Sequence, residues 1–297
     1  MDALKQLLPI IIQAGLALLV LSVGLQSTLD DLLYVLRRPA LLGRAFVAIS
    51  IVVPAAAVLA VNWLPLSLPV KVGVIMMSLA ALPPFVPGSE IKAGGRRSYS
   101  YGLYAAFALL TVVIVPATVE VLDRLFGADA EVSLTVLGRE VLLSVLLPLV
   151  VGMLIHTRWT ALAERIAPVV SQVSMLVLIV IVGLLLYRAW PAMLSLIGNG
   201  TVLAVVVVSA AAIAAGHLLG GPDPRDKVAL ATAAAIRHPG IALMVANGFA
   251  PDKRVSAMIL LYVLVTFVVV TIYQQAQKRL SRAPRGGGGH AAVGGAR

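Results

Sequence analysis

The sequence predicts an all-α integral membrane protein of about nine transmembrane helices, two of which are broken. Hydrophobic residues make up 60% of the chain and charged residues 12%, and the mean hydropathy is +1.01. A soluble domain needs a more polar surface than this composition provides. Nine apolar stretches approach the roughly 20 residues that cross a bilayer. Two of them contain a Pro-Gly pair, Pro87-Gly88 and Pro239-Gly240.

Short connections separate the nine stretches, so we expect one transmembrane domain over residues 1–280 and no soluble domain between the spans. The first stretch is long and lacks a basic leader and a small-residue cleavage site, so we expect it to remain as a helix. The stretches cover residues 7–26, 45–63, 70–94, 99–121, 136–155, 169–187, 201–219, 228–246 and 256–274.

Residues 27–39, after the first stretch, predict an amphipathic connector at the membrane surface. Ser27 or Thr28 can cap a short helix, and Asp30 and Asp31 fall in its first turn, where carboxylates complement the helix dipole.

Basic residues concentrate in alternate connections and in the tail, and the formal net charge is +10. The connections that hold Arg37, Arg38, Arg96 and Arg97 fall inside if the N-terminus lies outside, so the charge predicts an N-out, C-in orientation and not nucleic-acid binding. Residues 281–297 contain four consecutive glycines and predict a disordered cytoplasmic tail.

Several classes of chemistry are disfavoured. The chain has no cysteine, which excludes disulfides, thiolate metal sites and thiol nucleophiles. No predicted span holds paired aspartates or a Gly-x-Ser-x-Gly turn, and Asp30-Asp31 lacks the further acids of a magnesium site. We therefore expect no enzyme activity and no catalytic residue.

The two Pro-Gly pairs predict an internal repeat. They stand in the third and eighth stretches, 152 residues apart (87 to 239). An offset of five spans is odd, so the second copy would be inverted in the membrane, as in many carriers. The predicted halves cover approximately residues 7–126 and 167–275.

A broken helix in hydrocarbon frees backbone N–H and C=O groups, so each break must be covered by protein or line a polar cavity. Half-helix ends near the bilayer centre bind ions of either sign. The candidate binding side chains near the two breaks are Ser89, Glu90, Thr232, Arg237 and His238.

Each charged candidate has two interpretations. Arg237 either serves as a fixed cation for an anionic substrate or forms a salt bridge with Glu90 across the breaks. Glu90 either binds at the break or lies with Lys92 in an inner vestibule. His238 either titrates in proton coupling or, as we favour, bonds freed backbone. We assign His217 to packing.

Four segments resemble the bile acid:sodium symporter family, and their order and spacing extend the resemblance over residues 24–274. They are LSVGL at 21–25 with Thr28, Asp30 and Pro39 after it, ALPPFVPGSEIKAGG at 81–95, VLLPLVVGMLIH at 145–156 and ALATAAAIRHPGIALMVA at 229–246. The second and fourth are similar to the family's two crossing helices.

The resemblance implies two bundles with the substrate bound in the cleft between them. Spans two, three, four, seven, eight and nine would form the core, and spans one, five and six the panel. It also implies transport of organic anions with sodium, bound partly by an acidic residue and a Gln-Asn pair on the second crossing helix.

This chain departs from the family pattern at the sodium site. Ala233 stands where the acid is expected, and Arg237-His238 replace Gln-Asn. A guanidinium repels sodium by about 1 kcal/mol at 4 Å even in water. We hypothesise that Arg237 supplies the positive charge itself, and that the carrier is sodium-independent or proton-coupled.

The predicted function is secondary active transport of a small organic anion by alternating access, in a prokaryotic cytoplasmic membrane. No cofactor is expected beyond sodium or a proton as coupling ion, and the partners are the anion and the lipid bilayer. A channel or uncoupled facilitator is the alternative. Arsenite efflux is disfavoured, because those carriers resemble a pattern with an intramembrane cysteine. No oligomeric state follows from the sequence.

Overall fold

The computed structural model describes residues 2–126, 139, 142–249 and 252–282, and within these ranges it contains helices and connecting segments without a β-strand. The predicted all-α class is confirmed. Most of the predicted tail lies outside the described residues, although Ser281 and Arg282 end the last helix. Residues 136–138 and 140–141 of the fifth predicted span also lie outside them.

Six helices precede residue 127. They are α1 (Asp2–Gln26), α2 (Leu29–Leu36), α3 (Pro39–Trp63), α4 (Leu68–Leu79), α5 (Val86–Lys92) and α6 (Arg97–Phe126). Thr28 caps α2, because its hydroxyl accepts from the Asp31 N–H at 3.1 Å while the Asp31 carboxylate accepts from the Thr28 N–H at 2.9 Å. This reciprocal capping box satisfies two of the free helix donors, and it selects Thr28 over Ser27.

The later helices are α7 (Leu142–Arg158), α8 (Thr160–Leu196), α9 (Thr201–Leu219), α10 (Pro224–Ala235), α11 (Pro239–Phe249) and α12 (Lys253–Arg282). By length and composition, five segments of the described residues can cross a membrane. Residues 13–26 of α1 together with α2 make a sixth candidate, bent by 84° between the two helices. The described residues therefore support an integral membrane protein with five or six candidate spans.

Helix α3 changes its backbone register before Pro54. Residues Val47–Val52 are π-helical, and α-helical geometry resumes at Val53. Proline has no N–H, so Pro54 cannot donate to the carbonyls four and five residues earlier, at Ser50 and Ile49. Carbonyl groups in the middle of this apolar helix thus become available to a donor from elsewhere in the molecule.

The helices pack in two groups. Helices α1, α7 and α8 contact one another, while α3, α4, α9, α10 and α12 pack together in the main hydrophobic core. Helix α8 also packs on α12 and joins the groups. At the α1–α7 contact, a Cβ on Gly24 would lie 2.4 Å from the Leu149 carbonyl oxygen, so the helices approach each other backbone to backbone.

Candidate functional site

The two helix breaks lie just before the Pro-Gly pairs. Helix α4 ends at Leu79 and α5 begins at Val86, with Pro87 in its first turn. Helix α10 ends at Ala235 and α11 begins at Pro239. Proline is tolerated in the first helical turn, where its missing N–H has no partner to lose. The sequence prediction placed the interruptions at Pro87-Gly88 and Pro239-Gly240; in the structure these pairs start the second half-helices.

The two breaks contact each other. The His238 backbone N–H donates to the Ala81 carbonyl at 3.0 Å, and Arg237 Nη1 donates to the Ala80 carbonyl at 3.3 Å. Segments 157 positions apart in the chain therefore satisfy each other's freed backbone groups. This contact places Arg237 at the point where the broken helices meet.

Arg237 is buried, with only 4% of its surface exposed. Its Nη2 donates to the Ile49 carbonyl at 2.6 Å, inside the π-helical segment of α3, whereas its Nε has no partner. The structure contains no ion pair between Arg237 and Glu90, although both residues are described. The predicted alternative of a salt bridge across the breaks is therefore not formed in this conformation.

A small cavity of about 40 Å³ adjoins Arg237. Its polar side chains besides Arg237 are Ser50, Ser78 and Thr111, and Phe107 and Leu82 are among its apolar lining residues. The Ser78 and Thr111 hydroxyls donate to carbonyls of their own helices, each at 2.7 Å. These two hydroxyls have used their hydrogens, and Arg237 is the charged side chain among the lining residues.

Glu90 forms a second buried polar group, on α5. Only 1% of its surface is exposed, and its Oε2 has no hydrogen bond partner. The Ser100 hydroxyl lies beside the carboxyl, but Ser100 Oγ and the Tyr99 hydroxyl are also left without partners. Lys92, in contrast, is exposed. The vestibule interpretation therefore fits Lys92 and does not fit Glu90.

Ser89 and Thr232 belong to α5 and α10, two helices that contact each other. The Ser89 hydroxyl accepts a hydrogen bond from Gln274 Nε2 of α12 at 2.9 Å. Thr232 is fully buried with no partner for its hydroxyl, one turn after Ala229, which faces Gly95. Sequence reasoning missed Gln274, because one amide at the end of an apolar span has no distinguishing pattern.

His238 caps the N-terminus of α11. Its Nδ1 accepts a hydrogen bond from the Ile241 N–H at 3.3 Å, and the side chain is buried. This is the backbone role that the sequence analysis favoured for His238. His217 contacts Tyr273 of α12 through a 3.0 Å hydrogen bond and an edge-to-face ring contact, which agrees with its assignment to packing.

A polar cluster that the sequence analysis missed ties the start of α10 to α2 and α6. It consists of Tyr34, Arg96, Asp223 and Asp226. Asp226 accepts from Arg96 Nε and from the Tyr34 hydroxyl, each at 2.9 Å, and Arg96 also pairs with Asp223. The Arg225 backbone N–H and the Arg96 guanidinium hold the pKa of Asp223 below its ordinary value.

Among the described residues, no group of three or more His, Asp or Glu side chains could hold a metal ion. Comparison with known families gives one match. The model described as the Sodium Bile acid symporter family matches residues 13–190, which include the first break and end before the second. No curated protein matches the chain.

Proposed function

Because the chain belongs to the sodium bile acid symporter family, we propose that it is a secondary active transporter that carries a small organic anion by alternating access. Family membership and the apolar helices make it a membrane transport protein. The observation that carries the choice of an anion is Arg237, a buried guanidinium without a carboxylate partner at the contact of the two breaks.

The charge of Arg237 needs an opposite charge in the membrane interior to balance it. An arginine in the membrane interior costs about 2.5–3.5 kcal/mol on insertion scales, and such residues pair with an opposite charge or line a wet cavity. A guanidinium has five N–H donors, and two bonds go to the Ile49 and Ala80 carbonyls. The remaining donors, including Nε–H, suit a carboxylate or sulfonate in the adjoining cavity.

Anion binding at this site does not use sodium in our proposal. Two carbonyl oxygens that meet at the breaks, those of Ile49 in α3 and Ala80 after α4, already accept hydrogen bonds from Arg237. Ala233, in the last turn of α10 before the break, adds no carboxylate. Sodium does not fit this break, because it would have to displace a tethered cation from the same oxygens.

The architecture we propose has nine spans in two inverted halves, approximately 7–126 and 167–275. The likeness of the two breaks supports it, since each is followed by a half-helix that begins around a Pro-Gly pair. The mutual packing of α1, α7 and α8, which hold spans one, five and six, supports a panel. The remaining spans would form the core, with the N-terminus outside and the C-terminus inside.

The test is uptake by proteoliposomes of three labelled sulfonates of increasing size: isethionate, benzenesulfonate and taurocholate. Sulfonates stay ionised at every working pH, so they do not leak through the bilayer as neutral acids. Replacing Arg237→Gln removes the charge, and losing a charged hydrogen bond of about 1.5–3 kcal/mol should weaken binding by roughly 10- to 100-fold. Arg237→Lys should retain part of the uptake.

The matched control is Arg188→Gln, which removes an exposed arginine from α8 and should leave uptake unchanged. Size-exclusion profiles and unfolding temperatures in detergent show whether each variant folds. Saturable uptake by Arg237→Gln with an unchanged KM would contradict the assignment of Arg237 to the anion site.

A further inference from the structure

We infer that Glu90, on the first crossing helix, is the proton-binding site that couples anion transport to a proton gradient, at a position separate from Arg237. The inference rests on the proposed function, because it concerns the ion that accompanies the anion.

Buried polar atoms without hydrogen bond partners lie on Glu90 and on the helices packed against α5. Glu90 Oε2, Ser100 Oγ, the Tyr99 hydroxyl and Thr232 Oγ1 are buried and lack partners. They come from three helices that contact one another, α5, α6 and α10. Four such atoms are unusual, since buried polar groups in folded proteins are nearly always paired. A proton on Glu90 would turn an acceptor into a donor for a neighbouring hydroxyl.

Among the described residues, none forms an ion pair with Glu90. On α6 the titratable groups that interact electrostatically with the Glu90 carboxyl are the phenols of Tyr99 and Tyr101. Arg97 lies over the Tyr101 ring, and Asp31 of α2 also faces Tyr101. On α10 the nearest acid is Asp226, which Arg96 already pairs.

Helix α12 contributes Gln274, a neutral amide, through Ser89. On α5 itself Lys92 is exposed. An ionised carboxylate in the membrane interior is strongly disfavoured unless an opposite charge balances it, so in a closed site Glu90 either binds a proton or depends on the charge of Arg237 for balance.

A charge balance then links the two sites. With both sites empty, the Arg237 cation and the Glu90 anion sum to zero. With the anion on Arg237 and a proton on Glu90, the sum is again zero. Either ligand alone leaves one net charge in the membrane interior, which is costly to move. Only the empty and the doubly loaded carrier reorient readily, which gives electroneutral symport of one proton with one monoanion.

The experiment uses full-length protein in proteoliposomes with labelled isethionate and benzenesulfonate. The wild type should accumulate a sulfonate when the external pH is lower, and a potassium diffusion potential without a pH gradient should drive no accumulation. Glu90→Gln imitates the protonated state permanently. Its anion-loaded form is neutral and its empty form is charged, so the variant should exchange sulfonate for sulfonate yet fail to accumulate it.

Retained exchange by Glu90→Gln also shows that the variant is folded. Glu90→Asp, which restores an ionisable group, should recover part of the pH-driven accumulation. Glu164→Gln, an exposed carboxyl on α8, is the matched control and should behave as wild type.

Two results would overturn the inference alone: accumulation by Glu90→Gln under a pH gradient, or wild-type accumulation that follows a sodium gradient and ignores pH. Absence of saturable sulfonate exchange by the wild type would instead overturn the proposed function, and with it the inference.

Discussion

At the scale of single residues, the proposed function gives Arg237 two roles that are usually separate. Two of its N–H groups hold the backbone carbonyls of Ile49 and Ala80, and the others remain for an anion. A guanidinium that is part of the chain keeps its positive charge at this position throughout the proposed transport cycle. A coupling ion such as sodium must first bind from solution. Lysine has the charge without the planar fork, so it can reproduce the electrostatic role only.

His238 supplies a second prediction at this scale. Its Nδ1 caps α11, so His238→Ala should lower stability by about 0.5–2 kcal/mol, the usual range for a lost N-cap. His238→Asn keeps an acceptor and should retain most of that stability. Unfolding temperature and the pH profile of sulfonate uptake are the measurements. A pH profile displaced in His238→Asn would show that His238 titrates during transport, against its assignment as a cap.

At the scale of secondary structure elements, the polar cluster fixes the start of α10 against α2 and α6. Arg96 follows the short half-helix α5 by four residues and holds the first turn of α10. The start of α10 is therefore joined to the segment that follows α5. We expect α5 and α10 to move together, because one guanidinium connects the end of one to the start of the other.

Replacing Asp223→Asn tests this connection. Asparagine is also a good N-cap, so the substitution removes the charge and keeps the cap of α10. The lowered pKa of Asp223 means that its charge stabilises the fold above the ordinary value of 3.8 and loses this effect as the pH falls through the lowered value. The wild type should unfold at a higher temperature than Asp223→Asn at pH 7 and pH 5, and the difference should disappear in stronger acid.

The difference at neutral pH should not exceed about 1 kcal/mol, because Asp223 is one-third exposed and water screens its pair with Arg96. Asp252→Asn is the matched control, since Asp252 accepts the same local bond, from the Arg254 N–H at 2.8 Å, and is exposed. A gap between wild type and Asp223→Asn that stays constant with pH would rule out a charge effect.

At the scale of the whole molecule, composition predicted the all-α membrane class, the Pro-Gly pairs predicted the two breaks, and the resemblance of four segments predicted the family. The length of an apolar stretch and the position of a proline affect only nearby residues. A single sequence is therefore enough to predict spans and breaks. The hydrogen bond partners of Arg237 could not be predicted from the sequence. The free carbonyl of Ile49 depends on the register change before Pro54 and on the approach of α10 to α3. The polar cluster joins residues up to 192 positions apart, and no local pattern encodes such a pairing.

The central claim is that a sodium-free carrier binds an organic anion at Arg237. The most direct measurement is the unfolding temperature of the purified full-length chain with a panel of carboxylates and sulfonates, in potassium buffer without sodium. At least one anion should raise the unfolding temperature of the wild type, since a ligand stabilises the folded state it binds, and the same anion should not raise that of Arg237→Gln. Stabilisation that requires sodium, or that is equal in Arg237→Gln, would contradict the account.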